Sequence, residues 1–209
     1  MDTTQLNLLW RCFPNATDPT DFSFEAVGTF SLTDNKACTQ DRYSNLCPSD
    51  CSREILIIHS NSPLTIVAFD EWLKNFPISR CDYLLYSSDT QKKMFAFCEL
   101  TCSLPHYVED RVDNVGKRAK AYSQMISSWR LISESENPMF KAQILNYVRK
   151  IGIFGWRDRK SNIRVGAMKS LRSFVNTPGS RAGIKTFQNY AFGENFEFIQ
   201  VKYPHTLHL

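Results

Sequence analysis

The chain has 209 residues, 43% of them hydrophobic, 22% charged and 13% aromatic. That is enough apolar material for one sizeable core, and it excludes a disordered chain. The net charge of +4 excludes a strongly acidic or polybasic protein as a whole, but the charge is unevenly spread. Between Gly116 and Lys185, fifteen Lys or Arg stand against three acids, Glu134, Glu136 and Asp158. This half is a candidate footprint for an anion such as nucleic acid, with an ordinary solvated basic surface as the alternative.

In chain order, residues 1–53 are read as an irregular N-terminal extension, rich in turn formers, with one short strand near Phe22–Leu32. The start, MDTTQLNLLWRCF, carries no basic segment leading into a long apolar run, so no secretory signal is expected. No apolar window approaches the roughly 20 residues needed to span a bilayer, and no membrane partner is expected. Seven cysteines, several inside apolar runs, suggest free thiols in a reducing, cytoplasmic setting.

The remainder, 54–209, is read as one α/β or α+β domain with a mixed central sheet flanked by helices. EILIIHS (Glu54–Ser60) and PLTIVAF (Pro63–Phe69) are β-branched runs on either side of Asn61-Ser62 and predict a hairpin. DEWLKNF predicts a single helical turn. Two strands follow, Cys81–Tyr86 and Lys93–Thr101, joined by a polar turn. A helix is predicted over about Asp110–Glu134, where Ala119, Tyr122, Met125, Ile126, Trp129 and Ile132 recur at 3.6-residue spacing. A second, over Met139–Lys150, opens on Asn137-Pro138, a cap followed by a first-turn proline. IGIFGW reads as a buried strand, RVGAMKSLRSFVN as a third helix, and FEFIQVKYP as a last, alternating strand.

The stretch CDYLLYSSDTQKKMFAFCELTC, Cys81–Cys102, places one acid in each of two apolar strands. Alternation puts Asp82, Leu84 and Tyr86 on one face of the first, and Phe95, Phe97, Glu99 and Thr101 on one face of the second. Paired antiparallel, the two strands bring Asp82 and Glu99 toward one point. Carboxylates in apolar strands are costly unless compensated. A Mg²⁺ or Mn²⁺ ion would suit, since a hard cation takes one or two carboxylates and keeps its waters. The alternative is structural: Asp82 capping a strand or pairing with Arg80 or Arg118, and Glu99 answering Lys117 or Arg118.

Asp82, the hairpin, Glu99-Leu100-Thr101 and the basic amphipathic helix together resemble the PD-(D/E)XK nuclease superfamily over about Pro63–Trp156. The resemblance implies a restriction-endonuclease-like core, metal held by Asp82 and Glu99, and metal-dependent phosphodiester cleavage in a defence or repair system. The family's motif lysine falls at Thr101, so Lys117, Lys120 or Lys93 would have to stand in for it. Gln124 resembles a polar helix residue that some members place near the site. Lys117, Arg118, Lys120, Arg157, Arg159 and Lys160 are the expected nucleic-acid contacts. A catalytically inactive fold serving as a scaffold or protein-interaction subunit, in an oligomer or with a protein partner, is the second reading, favoured by the missing lysine.

Cys38, Cys47 and Cys51, spaced C-x8-C-x3-C with Cys12 upstream and His59 downstream, are a candidate zinc site. Unbonded loop thiols are the competing reading. Cys81, Cys98 and Cys102 are expected as small core residues, and Trp129, Trp156 and Tyr122 as core aromatics. A cysteine-based enzyme would need a histidine beside its thiol, and His106 is near Cys102 in sequence.

Overall fold

A computed structural model describes residues 3–33, 54–88, 93–110, 114–158, 183–192 and 195–209. Its centre is an eight-stranded mixed sheet with four α-helices, so the expected α/β or α+β class holds. The strands are β1 (Ser23–Thr33), β2 (Glu54–Ala68), β3 (Tyr83–Ser87), β4 (Met94–Ser103), β5 (Arg149–Asp158), β6 (Ile184–Phe192), β7 (Phe196–Lys202) and β8 (Thr206–His208). Their order is β1-β2-β3-β4-β5-β7-β6, with β8 alongside β2. Strands β1 to β4 pair antiparallel with one another, β4, β5 and β7 are mutually parallel, β6 is antiparallel to β7, and β8 is parallel to β2. The change from antiparallel to parallel in the main run occurs where the chain leaves β4, crosses through α3 (Lys117–Ser133) and α4 (Pro138–Leu145), and returns as β5. A parallel return needs such a crossover.

Two cores lie on opposite faces of the sheet. On one face, Ala121, Met125, Trp129 and Ile132 of α3 and Phe140 and Ile144 of α4 pack with Leu84, Tyr86, Phe95, Phe97, Phe154 and Phe198. Helix α1 (Thr3–Trp10) joins this layer through Leu6, Leu8 and Leu9. The other core gathers Leu32, Leu56 and Ile58 with Ile151, Ile153, Ile199 and Val201. These sets come from strands that are not neighbours, so the sheet coils and brings β1 and β2 back over β5. Gly155 sits in a close approach, where a Cβ would meet Leu100 Cδ2 at 2.5 Å and Leu56 Cβ at 3.1 Å. The Tyr83 hydroxyl donates to the Thr33 carbonyl at 2.6 Å across the same enclosed space.

Several elements differ from the sequence expectation. The segment read as irregular contains the helix α1, while its one expected strand, near Phe22–Leu32, is present as β1, pairing with β2 from Ser23↔Val67 to Thr33↔Glu54. The predicted hairpin at 54–69 is one fifteen-residue strand. Asn61-Ser62-Pro63 forms an irregularity in it: the register passes from Ala26↔Leu64 to Gly28↔Ser60, and the Ser60 hydroxyl bonds the Ser62 carbonyl at 2.7 Å. A bulge and a turn share the same residue types. Helix α3 begins at Lys117, not near Asp110, because the Asp110 carboxylate accepts the Gly116 N–H at 2.7 Å and Gly116 is extended. Helix α4 stops at Leu145, since Arg149 already donates its N–H to the Lys93 carbonyl and enters β5. Its predicted cap holds: Asn137 accepts from the Met139 N–H at 3.1 Å. DEWLKNF supplies the single turn α2 (Phe69–Trp72). The predicted helix RVGAMKSLRSFVN lies outside the described residues, as do Cys38, Cys47 and Cys51. No helix among the described residues is long and apolar enough to cross a membrane.

The coiling makes a testable demand. Gly155→Ala is expected to lower unfolding free energy by about 1–3 kcal/mol through overpacking. Urea denaturation of the double variant with Leu100→Ala should show less than the sum of the single losses, because removing the Leu100 methyls makes room for the new Cβ. Strict additivity would mean that the two residues do not meet.

Candidate active site

Tyr83 on β3 faces Cys98 on β4, and one step further along the ladder stand Asp82 and Glu99. Each carboxylate is tied to the other strand's backbone: Glu99 Oε2 accepts the Asp82 N–H at 3.2 Å, and Asp82 Oδ2 accepts the Leu100 N–H at 2.7 Å. The pair therefore closes the open end of the hairpin, side by side and on the face that carries α3.

The segment leading into Asp82 is clamped from three directions. Helix α3 contributes Ser128, whose hydroxyl accepts the Cys81 N–H at 2.8 Å, and Gln124, whose amide donates to the Arg80 carbonyl at 3.1 Å. The start of α2 contributes the N–H groups of Phe69 and Asp70, at 2.8 and 3.2 Å from the Asp82 carbonyl. Beneath them the Arg80 guanidinium is buried, donating to the carbonyls of Phe76 and Ile78 and pairing with Asp70 at 3.0 Å.

A polar cleft of roughly 360 Å³ opens over the pair. Its walls include Asp70, Arg80, Asp82, Glu99, Thr101, Lys117, Lys120 and Gln124. Lys117, Lys120 and Gln124 fall on one stripe of α3 at i, i+3 and i+7, which aims all three at the acids. Burial, then the Asp82 carboxylate, pushes the Glu99 carboxyl far above the ordinary range; hydrogen bonds from Gln124 and the Asp82 N–H work against this, and Asp70 adds to it. At neutral pH the pair thus holds a proton that a bound cation would displace.

The structure brings together Asp82, Glu99, Lys117 and Lys120, and separates the other expected site residues from them. Arg118 points away from the cleft, pairing with Glu109 and lying 4.5 Å over the Phe187 ring. Arg157 is buried; it donates to the Glu54 carbonyl at 2.7 Å and stacks 4.3 Å over Tyr203, closing the seam between β2 and β5. Lys93 starts the opposite end of β4 and reaches toward Ser62. Arg159 and Lys160 lie outside the described residues. Of the basic residues considered as partners for the acids, Arg80 pairs with Asp70 and Arg118 with Glu109. Asp70 itself escaped sequence reasoning, because its position follows from α2 docking on the Asp82 carbonyl, which no spacing rule announces.

The remaining candidates fall elsewhere. Cys81 and Cys98 are buried as expected, and burial raises both thiols, which leaves them poor nucleophiles. Cys102 is exposed, not a core residue, because β4 runs past the end of β3 there. Cys12 is buried against α1, whereas His59 bonds Thr29 and Asn61 on β2's outer surface. Among the described residues no three His, Cys, Asp or Glu groups form a ready metal cage. Trp129 and Trp156 are core, and half-buried Tyr122 packs edge-on against Phe198. No protein-family model, curated protein or solved structure matches this chain.

The raised Glu99 carboxyl sets the sign of a pH effect. The native state binds a proton that the unfolded chain releases above the ordinary glutamate range, so this group's contribution is full below that range and is lost as pH rises toward the folded value. In chelator, the stability advantage of Glu99→Gln over wild type should therefore grow from pH 5 to pH 9, with a slope bounded by about 1.4 kcal/mol per pH unit. A difference independent of pH, measured by thermal or urea unfolding, would contradict the buried-pair description.

Proposed function

We propose that this chain is a nucleic-acid-binding protein with a PD-(D/E)XK-like core, acting as a metal-dependent phosphodiesterase, with defence or repair as its setting. The observation that carries the reading is the paired Asp82 and Glu99 at the hairpin's end, beneath a helix presenting Lys117 and Lys120. The reading also draws on the hairpin that carries the two acids and on α3 packed behind it.

The residues present fit a divalent cation. Two carboxylates at the paired strand ends line a polar cleft with room for water, and a cation there would take the place of the proton that the raised Glu99 carboxyl holds. Mg²⁺ or Mn²⁺ would supply Lewis-acid stabilisation of phosphate charge and an activated water. The chain's own part is to hold that ion through Asp82 and Glu99, and to bind the phosphodiester through Lys117 and Lys120. Thr101, at the position of the motif lysine, lines the cleft with a hydroxyl in place of a charge, so the cation that orients the attacking water comes from α3. That same threonine supports the second reading, an inactive fold used as a scaffold.

Cleavage assays decide between them. Glu99→Ala should abolish Mg²⁺- or Mn²⁺-dependent cleavage while leaving nucleic-acid affinity intact or improved. Lys117→Ala and Lys120→Ala should instead weaken binding and flatten the log-log salt dependence by about 0.9 per lost phosphate contact on duplex DNA. Protein that neither cuts nor binds DNA or RNA at low salt with either metal would leave the scaffold reading.

A further inference from the structure

Beside the carboxylate cleft lies a second concavity of roughly 250 Å³, and the two share Lys117 and Lys120 as a common wall. Its other walls include His106, Tyr107, Asn114 and Val115. The short 3₁₀ turn Pro105–Tyr107 sets the His106 and Tyr107 rings with centroids 4.0 Å apart, and Tyr107 remains 47% exposed. A large aromatic ring left in water at the mouth of a basic cleft is a surface that still has a face to cover.

The platform is held firmly to α3. The Arg118 N–H donates to the Val108 carbonyl at 3.1 Å, and the Gly116 N–H to the Asp110 carboxylate at 2.7 Å. Val108 is buried, and Gly116 approaches so closely that a Cβ there would lie 2.4 Å from the Glu109 carbonyl carbon. Glu109, the acid among the described lining residues, is occupied by the Arg118 guanidinium. The aromatic turn, the lysines and the acid pair therefore hold fixed relative positions, with positive charge between the rings and the carboxylates.

We propose that this second concavity is a nucleobase subsite and that the substrate is a single-stranded nucleic acid, an inference that rests on the nuclease reading above. One base stacks on Tyr107, its phosphate lies against Lys117 and Lys120, and the neighbouring phosphodiester reaches Asp82 and Glu99. Stacking on a side chain needs a free base face, which a single strand offers and a duplex interior does not. Because every base has such a face, the subsite accepts any base, in DNA or RNA.

The test is equilibrium binding in chelator by fluorescence anisotropy, using the full chain carrying Glu99→Ala so that no strand is cut. Probes are a labelled single-stranded DNA, the matching RNA, and the DNA duplex. The single strands should bind more tightly than the duplex. Adding Tyr107→Ala should weaken single-strand binding about 5- to 100-fold and leave duplex binding unchanged, and Tyr107→Phe should restore it. Tyr107 is exposed, and retention of the unfolding transition in each variant verifies the fold. Equal affinity of Tyr107→Ala and its parent for single strands would overturn the subsite, as would equal losses on single strand and duplex. If the lysine variants still weaken binding in that case, the nuclease reading stands alone. If the parent binds none of the probes, both fall.

Discussion

Two carboxylates meet at the end of an antiparallel strand pair, and each is held by the other strand's main chain. Each carboxylate accepts a backbone N–H from the other strand, so moving the two apart would cost both hydrogen bonds. Those bonds keep the two carboxylates close enough to repel each other. A proton on Glu99 relieves that repulsion, burial first and the Asp82 charge second holding that carboxyl well above the ordinary range, and a cation would relieve it as well. A site with this property is poised to exchange one for the other.

The surrounding architecture serves the same constraint. Helix α3 lies over the acids with Gln124 and Ser128 fastening Arg80 and Cys81, and it carries Lys117 and Lys120 on the stripe that faces the cleft. The core beneath α3 holds the helix in place through Met125, Trp129 and Ile132, and the coiled sheet beneath that is closed by Gly155 against Leu56. Both layers are apolar, so the polar end of the hairpin is where burial stops and water enters. Asp70 enters the cleft only because α2 is seated on the Asp82 carbonyl and its carboxylate is turned by Arg80.

The parts legible in the sequence were those set by local periodicity. The two-residue alternation of a strand placed Asp82 and Glu99 on one face, and the 3.6-residue repeat located α3 and the lysines it offers. What failed depended on partners distant in sequence. Asn61-Ser62-Pro63 looks like a turn, but pairing of both flanking runs with β1 makes it a bulge. Arg118 and Arg157 look like free surface charge, but Glu109 and the Glu54 carbonyl claim them. Thr3–Trp10 carries no acid in its first turn to mark a helix start, and its helicity comes from packing on the α4 layer.

Anomalous diffraction from crystals grown with Mn²⁺ would test whether Asp82 and Glu99 share one divalent cation. A single strong anomalous peak is expected about 2.0–2.6 Å from an oxygen of each carboxylate, absent in Glu99→Ala crystals under the same conditions. Crystals in which Mn²⁺ binds elsewhere, or in which the two carboxylates keep only their backbone hydrogen bonds at saturating Mn²⁺, would contradict it.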